Sequence, residues 1–402
     1  MITLRLTNEL PLAAELLRKG GLVSVPTETV YGLAANGLDA KAVEKIYVVK
    51  GRPPVKPLAL MIPGPEAMDA YAENIPPQAS FLAERFWPGP LSIVLKARSA
   101  VPEIVRAGGE TVSLRCPAHP ITLALLRESG IPFAAPSANP SGSPSPRSAD
   151  EVLRYFDGQI DAVIDGGVCE IGTESTLLDL SRMPCRVLRR GALSEETIAD
   201  ALVEHMTVFG VTGGSGSGKT TALRVLEQLG ALVIDADSVY HELLACDRSL
   251  IEAISARFPE AARGDTIDRR ALSALVFQDA AALKDLNDIT HPAVISETIE
   301  RLRRHAMNGG TIAAIDAIGL IGSGLDTLCD RTYAVVADRE TRIRRIMTRD
   351  GLDREQAERR IAAQRPDDYF VIHCGSVLRN DADEAAFTAL CRQQFTEDIA
   401  HG

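Results

Sequence analysis

No stretch of about 18 apolar residues occurs anywhere in the 402 positions, so no membrane-spanning helix is expected. The seven cysteines (Cys116, Cys169, Cys185, Cys246, Cys329, Cys374, Cys391) are odd in number, scattered, and form no C-x-x-C. That excludes a disulfide framework and a cysteine zinc site, and it points to a reduced, cytoplasmic setting. Aromatic residues make up only 4% against 46% hydrophobic, so any core must be aliphatic. A basic excess is also missing. The net charge of −11 divides into about −4 before residue 206 and about −7 after it, which excludes a nucleic-acid module recognised by charge. No signal peptide is expected, because Met1–Gly20 reads as an amphipathic helix carrying Glu9, Glu15 and Arg18. The length favours two or three domains.

The most informative stretch is Met206–Thr221, MTVFGVTGGSGSGKTT. Met206–Thr212 reads as a short strand, Gly213–Thr220 fits G-x-x-x-x-G-K-[ST], and Leu223, Val225, Leu226 and Leu229 continue as an apolar-periodic helix. Gly213, Gly214, Gly216 and Gly218, with Ser215 and Ser217 between them, let backbone N–H groups curl inward. The helix N-terminus adds partial positive charge. Lys219 is placed for the outer phosphates of a nucleotide, Thr220 for a magnesium ion, and Thr221 continues the donor run. A flexible Gly/Ser linker would not need Lys-Thr-Thr between a strand and a helix. We therefore expect domains at 1–205 and 206–402.

Strands and helices alternate through the first half, as in an α/β sheet domain. Helices are expected at Glu9–Lys19, Asp39–Lys50 (capped by Asp39) and Pro120–Ser129. Strands are expected at Leu22–Val25, Leu58–Ile62, Leu91–Leu95, Thr111–Arg115, Pro132–Ala135 and Arg186–Arg190. Lys50, Arg52 and Lys56 cluster around prolines, while Arg115 and Arg189 lie in or at the end of strands. Ser137, Asn139 and Ser145 sit in a proline-rich loop. Converging cations and hydroxyls suit a triphosphate or a carboxylate. Ordinary surface cations beside a stiff loop would look the same from residue types alone.

In the second half a strand at Ala231–Asp235 ends in Asp235-Ala236-Asp237, where α/β folds bind ligands. One carboxylate there could take a proton from a substrate hydroxyl and the other could organise Mg2+. The pair could equally cap the helix Ser238–Leu244. Helices without strands are expected next, at Asp268–Phe277, Ala280–Asp288 and His291–His305, with Pro292 in the first turn of the last. Strands at Thr311–Asp316 and Thr332–Ala337 follow, then basic helices at Arg339–Asp350 and Asp353–Gln364. Arg342, Arg345 and Arg349 share one face, as in a lid closing on phosphates or a solvated charged surface. A fifth strand is expected at Tyr369–Ile372 and a closing helix at Asp383–Thr396.

Seven blocks carry a family resemblance over about residues 8–200. They are PTETVYGL (26–33), Lys50-x-Arg52 with Pro57-Leu58, WPGPL (87–91), VSLRCPAHP (112–120), APSANPSG (135–142), Glu174-Ser175-Thr176 and Leu188–Gly191. In this order they resemble the YrdC/Sua5 family, which makes threonylcarbamoyl-AMP from L-threonine, bicarbonate and ATP on the way to N6-threonylcarbamoyladenosine in tRNA. The resemblance implies that Thr29, Arg115 and Ser175 hold threonine. It gives ATP to Lys50, Arg52, Ser137, Asn139, Ser145 and Arg189. Met61 stands where some members carry histidine.

Over about residues 206–385, TGGSGSGKTT (212–221), VIDAD (233–237), DRRAL (268–272) with Phe277, Asn287 before His291-Pro292, and RRIMTRDGL (344–352) with Gln364 resemble dephospho-coenzyme A kinase. The implied fold is a mixed twisted YrdC-like sheet domain followed by a P-loop kinase domain with a five-stranded parallel sheet and a helical lid. The implied kinase chemistry uses ATP and Mg2+ on the 3′-hydroxyl of dephospho-CoA. Lys219, Asp237 as base and Arg345 would be catalytic, and Thr220 and Asp235 would be near the metal. Two departures stand out. Asp316–Gly322 lacks the family's Pro-Leu-Leu-hydrophobic-Glu run, and Ile372–Gly375 takes the place of an asparagine pair after the last strand. Transient RNA or tRNA-modification partners are compatible with the first half, and the oligomeric state is not encoded in any motif. Two rivals stay open at this point: a different nucleotide or nucleoside kinase in the second half, and a non-catalytic RNA-binding or regulatory module in the first.

Overall fold

Local signals in the chain translate directly into element ends. Asp39 accepts a hydrogen bond from Lys41 N at 2.9 Å and opens the helix Ala40–Lys50, which stops at Gly51 in the left-handed region. A computed structural model describes residues 2–277 and 279–401. They divide into two compact units, the first running to Leu202 and the second starting at Val203, with Met307–Gly309 grouped with the first.

The first unit is built on a mixed eleven-stranded sheet. Across it run Leu4–Leu6, Ala162–Ile164, Val23–Val25, Gly32–Asn36, Phe133–Ala134, Ala59–Met61, Thr111–Arg115, Leu91–Ala97, Thr176–Asp179 and Arg186–Arg189, with Ala72–Glu73 paired to Leu91–Ala97. Ala59–Met61 runs parallel to Thr111–Arg115, which is antiparallel to Leu91–Ala97. The helices Leu10–Arg18 and Pro120–Ser129 bury Leu17, Leu125 and Leu126 against Val23, Phe133 and Ile164 in an aliphatic core. Each such side chain contributes roughly 1.5–3 kcal/mol of burial. The amphipathic stretch expected at Met1–Gly20 divides instead, because Leu4–Leu6 pairs in parallel with Ala162–Ile164 before the helix begins.

In the second unit five parallel strands run in the order Leu232–Asp235, Ile312–Asp316, Thr207–Thr212, Arg331–Val336 and Ser376–Arg379. The helices Lys219–Gln228 and Glu384–His401 cover one face, where Phe209, Tyr333 and Phe395 meet edge-on or tilted. Arg339–Asp350 and Arg354–Ala362 form the paired helices of the expected lid, with Ile343, Ile346 and Ala357 as their small core.

Three expectations are corrected here. Tyr369–Ile372 is not the fifth strand; it lies in the helix Asp367–His373, and the strand is Ser376–Arg379. A four-residue apolar run fits either state, and Pro366 with Asp367 and Asp368 at the start settles it as a helix. Ala280–Asp288 and His291–His305 are one 28-residue helix, Ala280–Met307, with Pro292 inside it. Its buried residues recur every fourth position (Leu286, Thr290, Val294, Thr298, Leu302), and this packing outweighs the roughly 3 kcal/mol that an interior proline costs. The segment expected to lack strands holds a small hairpin, Ala262–Arg263 with Thr266–Ile267, and a further helix, Arg248–Arg257.

Candidate functional sites

Alternation along strands puts Ala59 and Met61, Ser92 and Val94, and Thr111, Ser113 and Arg115 on one face of the first sheet. They floor a cavity of about 520 Å3. Its rim is the loop Pro136–Ser145 and the segment Arg52–Leu58. The loop is held by the backbone of Tyr31–Leu33: Leu33 N donates to Pro136 O at 2.7 Å and Ala138 N to Tyr31 O at 2.8 Å.

Lys50, last residue of its helix, is buried and donates to the carbonyls of Ser137 and, at 2.5 Å, Asn139. Burial, with Arg52 adding to it, pushes its ammonium down to about 8. Arg52 folds onto Pro57 O at 2.9 Å. Asn139 donates to Ser143 O at 2.6 Å, while its Oδ1, like the hydroxyl of Ser113, is buried with no protein partner.

Arg189 reaches across to Ser175, donating to its carbonyl at 2.9 Å and its hydroxyl at 3.1 Å. It also pairs at 2.5 Å with Glu174, which accepts from Ser145 at 3.1 Å. Arg115 is buried and held by Glu28 at 2.7 Å and the hydroxyl of Thr29 at 2.8 Å. Lys50, Arg52, Ser137, Asn139, Ser145, Arg189, Arg115 and Ser175 thus line one cavity with Lys56. Thr29 sits behind its wall and reaches it through Arg115.

In the second unit the glycine loop joins Thr207–Thr212 to the helix that starts at Lys219. Gly213, Gly214, Ser215, Gly216, Gly218, Lys219 and Thr220 line a cavity of about 790 Å3 whose other wall carries Arg344, Arg345, Arg349 and Arg360. Gly218 has φ +105°, and a Cβ there would collide with the Asn380 amide. Lys219 pairs with Asp316 at the end of the neighbouring strand. Burial pushes the Asp316 carboxyl up, and Asp235 and Asp237 reinforce this while Lys219 opposes it.

Asp235 caps the helix Ala236–Cys246, accepting from Asp237 N at 3.0 Å and the Ser238 hydroxyl at 2.7 Å. Asp237 instead lines a second cavity of about 200 Å3 with Tyr240, Asn287, Thr290 and His291. Arg345 donates to Gly216 O at 3.3 Å and to the side chain of Asn380 at 3.1 Å. Arg349 is held by Asp350. Ser217 N–H is bonded to Gly214 O at 3.2 Å, and Thr221 N to Gly218 O at 2.9 Å.

Residues 15–191 match the Sua5/YciO/YrdC family model, described as telomere recombination, and residues 207–386 match that of dephospho-CoA kinase. A putative threonylcarbamoyl-AMP synthase of Mycobacterium tuberculosis H37Rv is 37% identical over 48% of this chain and 89% of its own. A dephospho-CoA kinase of Geobacter sulfurreducens is 43% identical over 40% of this chain and 83% of its own. The chain belongs to both families, one in each half. A threonylcarbamoyl-AMP synthase of Pyrococcus abyssi is 48% identical over 202 residues, and the chain spans 59% of that relative's length.

The YrdC-like half contains site residues that the motifs did not single out. Glu28 lies inside PTETVYGL and Glu174 begins a named block, but only the fold turns them onto Arg115 and Arg189. Ser92, which shares a hydrogen bond with Ser175 at 2.8 Å, had no local signal. In the kinase half, the residue directly after the last strand is Asn380, a single asparagine before Asp381; it is buried and donates to Ser217 O at 2.9 Å, so the departure expected at Ile372–Gly375 lies ahead of that strand. His373 bonds the carbonyl of Tyr369 in its own helix at 2.7 Å, and burial pushes the Cys374 thiol up to about 11, which disfavours a thiolate there.

Proposed function

We propose that the chain is a bifunctional enzyme with two separate ATP sites. The observation that carries this is a pair of cation-lined cavities, one in each half: the first sets Lys50, Arg52, Arg115 and Arg189 with hydroxyls over a sheet, and the second sets the glycine loop and Lys219 against Arg344, Arg345, Arg349 and Arg360.

In the first, the amine of L-threonine and bicarbonate condense with loss of water to a carbamate, whose oxygen attacks the α-phosphate of ATP, breaking the α–β phosphoanhydride to form threonylcarbamoyl-AMP and release pyrophosphate. The product serves as a precursor for modified adenosine in tRNA, and contact with RNA or tRNA-modification proteins would be transient. Charge neutralisation and positioning supply the catalysis. Arg52 and Arg189 meet phosphate oxygens, Lys50 holds the loop bearing Ser137 and Asn139, and Ser145 adds a hydroxyl. Arg115, with Thr29 behind it, and Ser175 receive threonine.

In the second, the 3′-hydroxyl of dephospho-CoA attacks the γ-phosphate of ATP, breaking the β–γ phosphoanhydride to give CoA and ADP. Asp237 is free to accept its proton, while Asp235 is occupied as a cap. Lys219 stabilises charge on the transferred group, and Arg345 turns from the loop carbonyls toward it as the lid closes. Among the described residues no three His, Cys, Asp or Glu side chains are grouped to hold an ion. The donors present fit magnesium carried in on the phosphates, with Thr220 as the protein ligand and Asp235 nearby; that ion would neutralise phosphate charge. No described helix is long and apolar enough to cross a membrane.

The test supplies each acceptor set separately and follows products by mass. Lys219→Ala should abolish phosphorylation of dephospho-CoA and spare threonine-dependent pyrophosphate release; Arg52→Ala should do the reverse. Loss of both activities from one folded variant would refute two independent sites. Phosphorylation of other nucleosides, with dephospho-CoA untouched, would replace the acceptor.

A further inference from the structure

The glycine-loop motif assigns Ser215 to the nucleotide, but the fold engages its N–H, its carbonyl and its hydroxyl oxygen with the lid. Its N–H donates to Gln364 Oε1 at 2.8 Å, and Gln364 Nε2 donates to its hydroxyl, also at 2.8 Å. Its carbonyl accepts from Arg342 Nε at 3.0 Å. Arg342 is buried, pairs with Asp367 at 2.6 Å, and lies 3.4 Å from Gln364 Oε1. These residues come from the two roots of the lid. Arg342 is in the first turn of the outgoing helix, and Gln364 follows the returning helix Arg354–Ala362.

A second observation gives the same picture. A Cβ on Gly214 would collide with the Arg342 guanidinium and come within 3.0 Å of Gln364 Oε1; one on Gly216 would press on the Arg342 backbone. Gly214 is therefore required by what the lid roots place against it, since its own φ is not in the left-handed region. The flip of the Gln364 amide is fixed as well, because the reverse orientation would set an NH2 against the Ser215 N–H.

We propose that Gln364 is a positioning residue of the kinase site: by gripping both the amide and the hydroxyl of Ser215, it fixes the outer turn of the phosphate loop and ties that turn to the lid. It makes no contact with the reacting atoms. Its effect is to hold the turn Gly214–Gly218, which lines the cavity ahead of Lys219, in one arrangement, so the bound nucleotide loses affinity when the tie is cut. The proposal rests on the kinase reading given above.

The experiment compares Gln364→Leu, which keeps length and loses both bonds, with Gln364→Glu, whose oxygens can accept from both the Ser215 amide and hydroxyl. KM for ATP and for dephospho-CoA, kcat and the melting temperature are measured on the full chain. Gln364→Leu should raise KM for ATP about tenfold, the effect of about 1.4 kcal/mol, with KM for dephospho-CoA within about twofold and the melting temperature lowered by a few degrees, roughly what two lost hydrogen bonds remove. Gln364→Glu should recover most of the loss. An unchanged KM for ATP in Gln364→Leu overturns the proposal. So does a Gln364→Glu variant as impaired as the leucine one, or a KM for dephospho-CoA raised as much as that for ATP.

Binding of Mg·ADP, taken as the difference between the chain and Lys219→Ala, reads the loop without an acceptor. Wild-type chain that binds ADP there but leaves dephospho-CoA unphosphorylated would refute the kinase reading. The ADP affinity of Gln364→Leu would then decide the positioning role by itself: about tenfold weaker supports it, unchanged overturns it.

Discussion

Lys50 makes the first site sensitive to pH in a way that can be calculated. Its ammonium is buried and titrates at about 8 instead of 10.5, chiefly because burial penalises the charge and secondarily because Arg52 repels it. A triphosphate entering the same cavity favours the charged form, so nucleotide binding takes up a proton whenever Lys50 is neutral beforehand. With a midpoint near 8 the charged fraction falls about tenfold between pH 7 and pH 9, and ATP affinity at this site should fall by about the same factor. The assay is calorimetric titration of ATP into the Lys219→Ala variant, which silences the glycine loop, in buffers of different ionisation enthalpy. About half a proton should be taken up per ATP at pH 8.

The stability linkage has its own sign. The folded value lies below the unfolded one, so between about 8 and 10.5 the unfolded chain holds more protons. The destabilisation from burying a charged Lys50 is fully present below pH 8 and is relieved as pH rises through that window. Lys50→Arg, which stays charged, should bind ATP with a flat profile. No proton uptake at pH 8, or an unchanged slope in Lys50→Arg, would refute the reasoning.

Two substitutions probe the kinase half further. Asp237→Asn should lower kcat for dephospho-CoA by about 10²–10⁴ with KM for ATP little changed, as loss of a base requires; a large loss of ATP binding would move Asp237 into the metal shell instead. Gly218→Ala adds a Cβ at φ +105° against the Asn380 amide and should remove phosphorylation while leaving threonine-dependent pyrophosphate release intact. Retained kinase turnover in a folded Gly218→Ala chain would show that the loop gives way there.

The sequence alone determined what depends on neighbours along the chain. The strand, glycine loop and helix at Thr207–Gln228 were legible because a phosphate loop is built from consecutive backbone. Asp39 opened a helix by local capping, and Arg342, Arg345 and Arg349 fell on one face by helical period alone. Tertiary structure decided the partners. Arg342 and Arg345 share that face, yet one is buried as a brace for Ser215 and the other lies on the cavity with Asn380. Asp235 and Asp237 are two residues apart, and only the turn of the helix between them leaves one capping and the other open. Pro292 is carried inside a 28-residue helix by a buried stripe from Ala282 to Ala306, and Tyr369–Ile372 is helical, which leaves Asn380 directly after the last strand. Local chemistry is written in adjacent residues. Which cation meets a substrate and which one holds the frame depends on burial and on groups that the chain brings together from a hundred or more residues away.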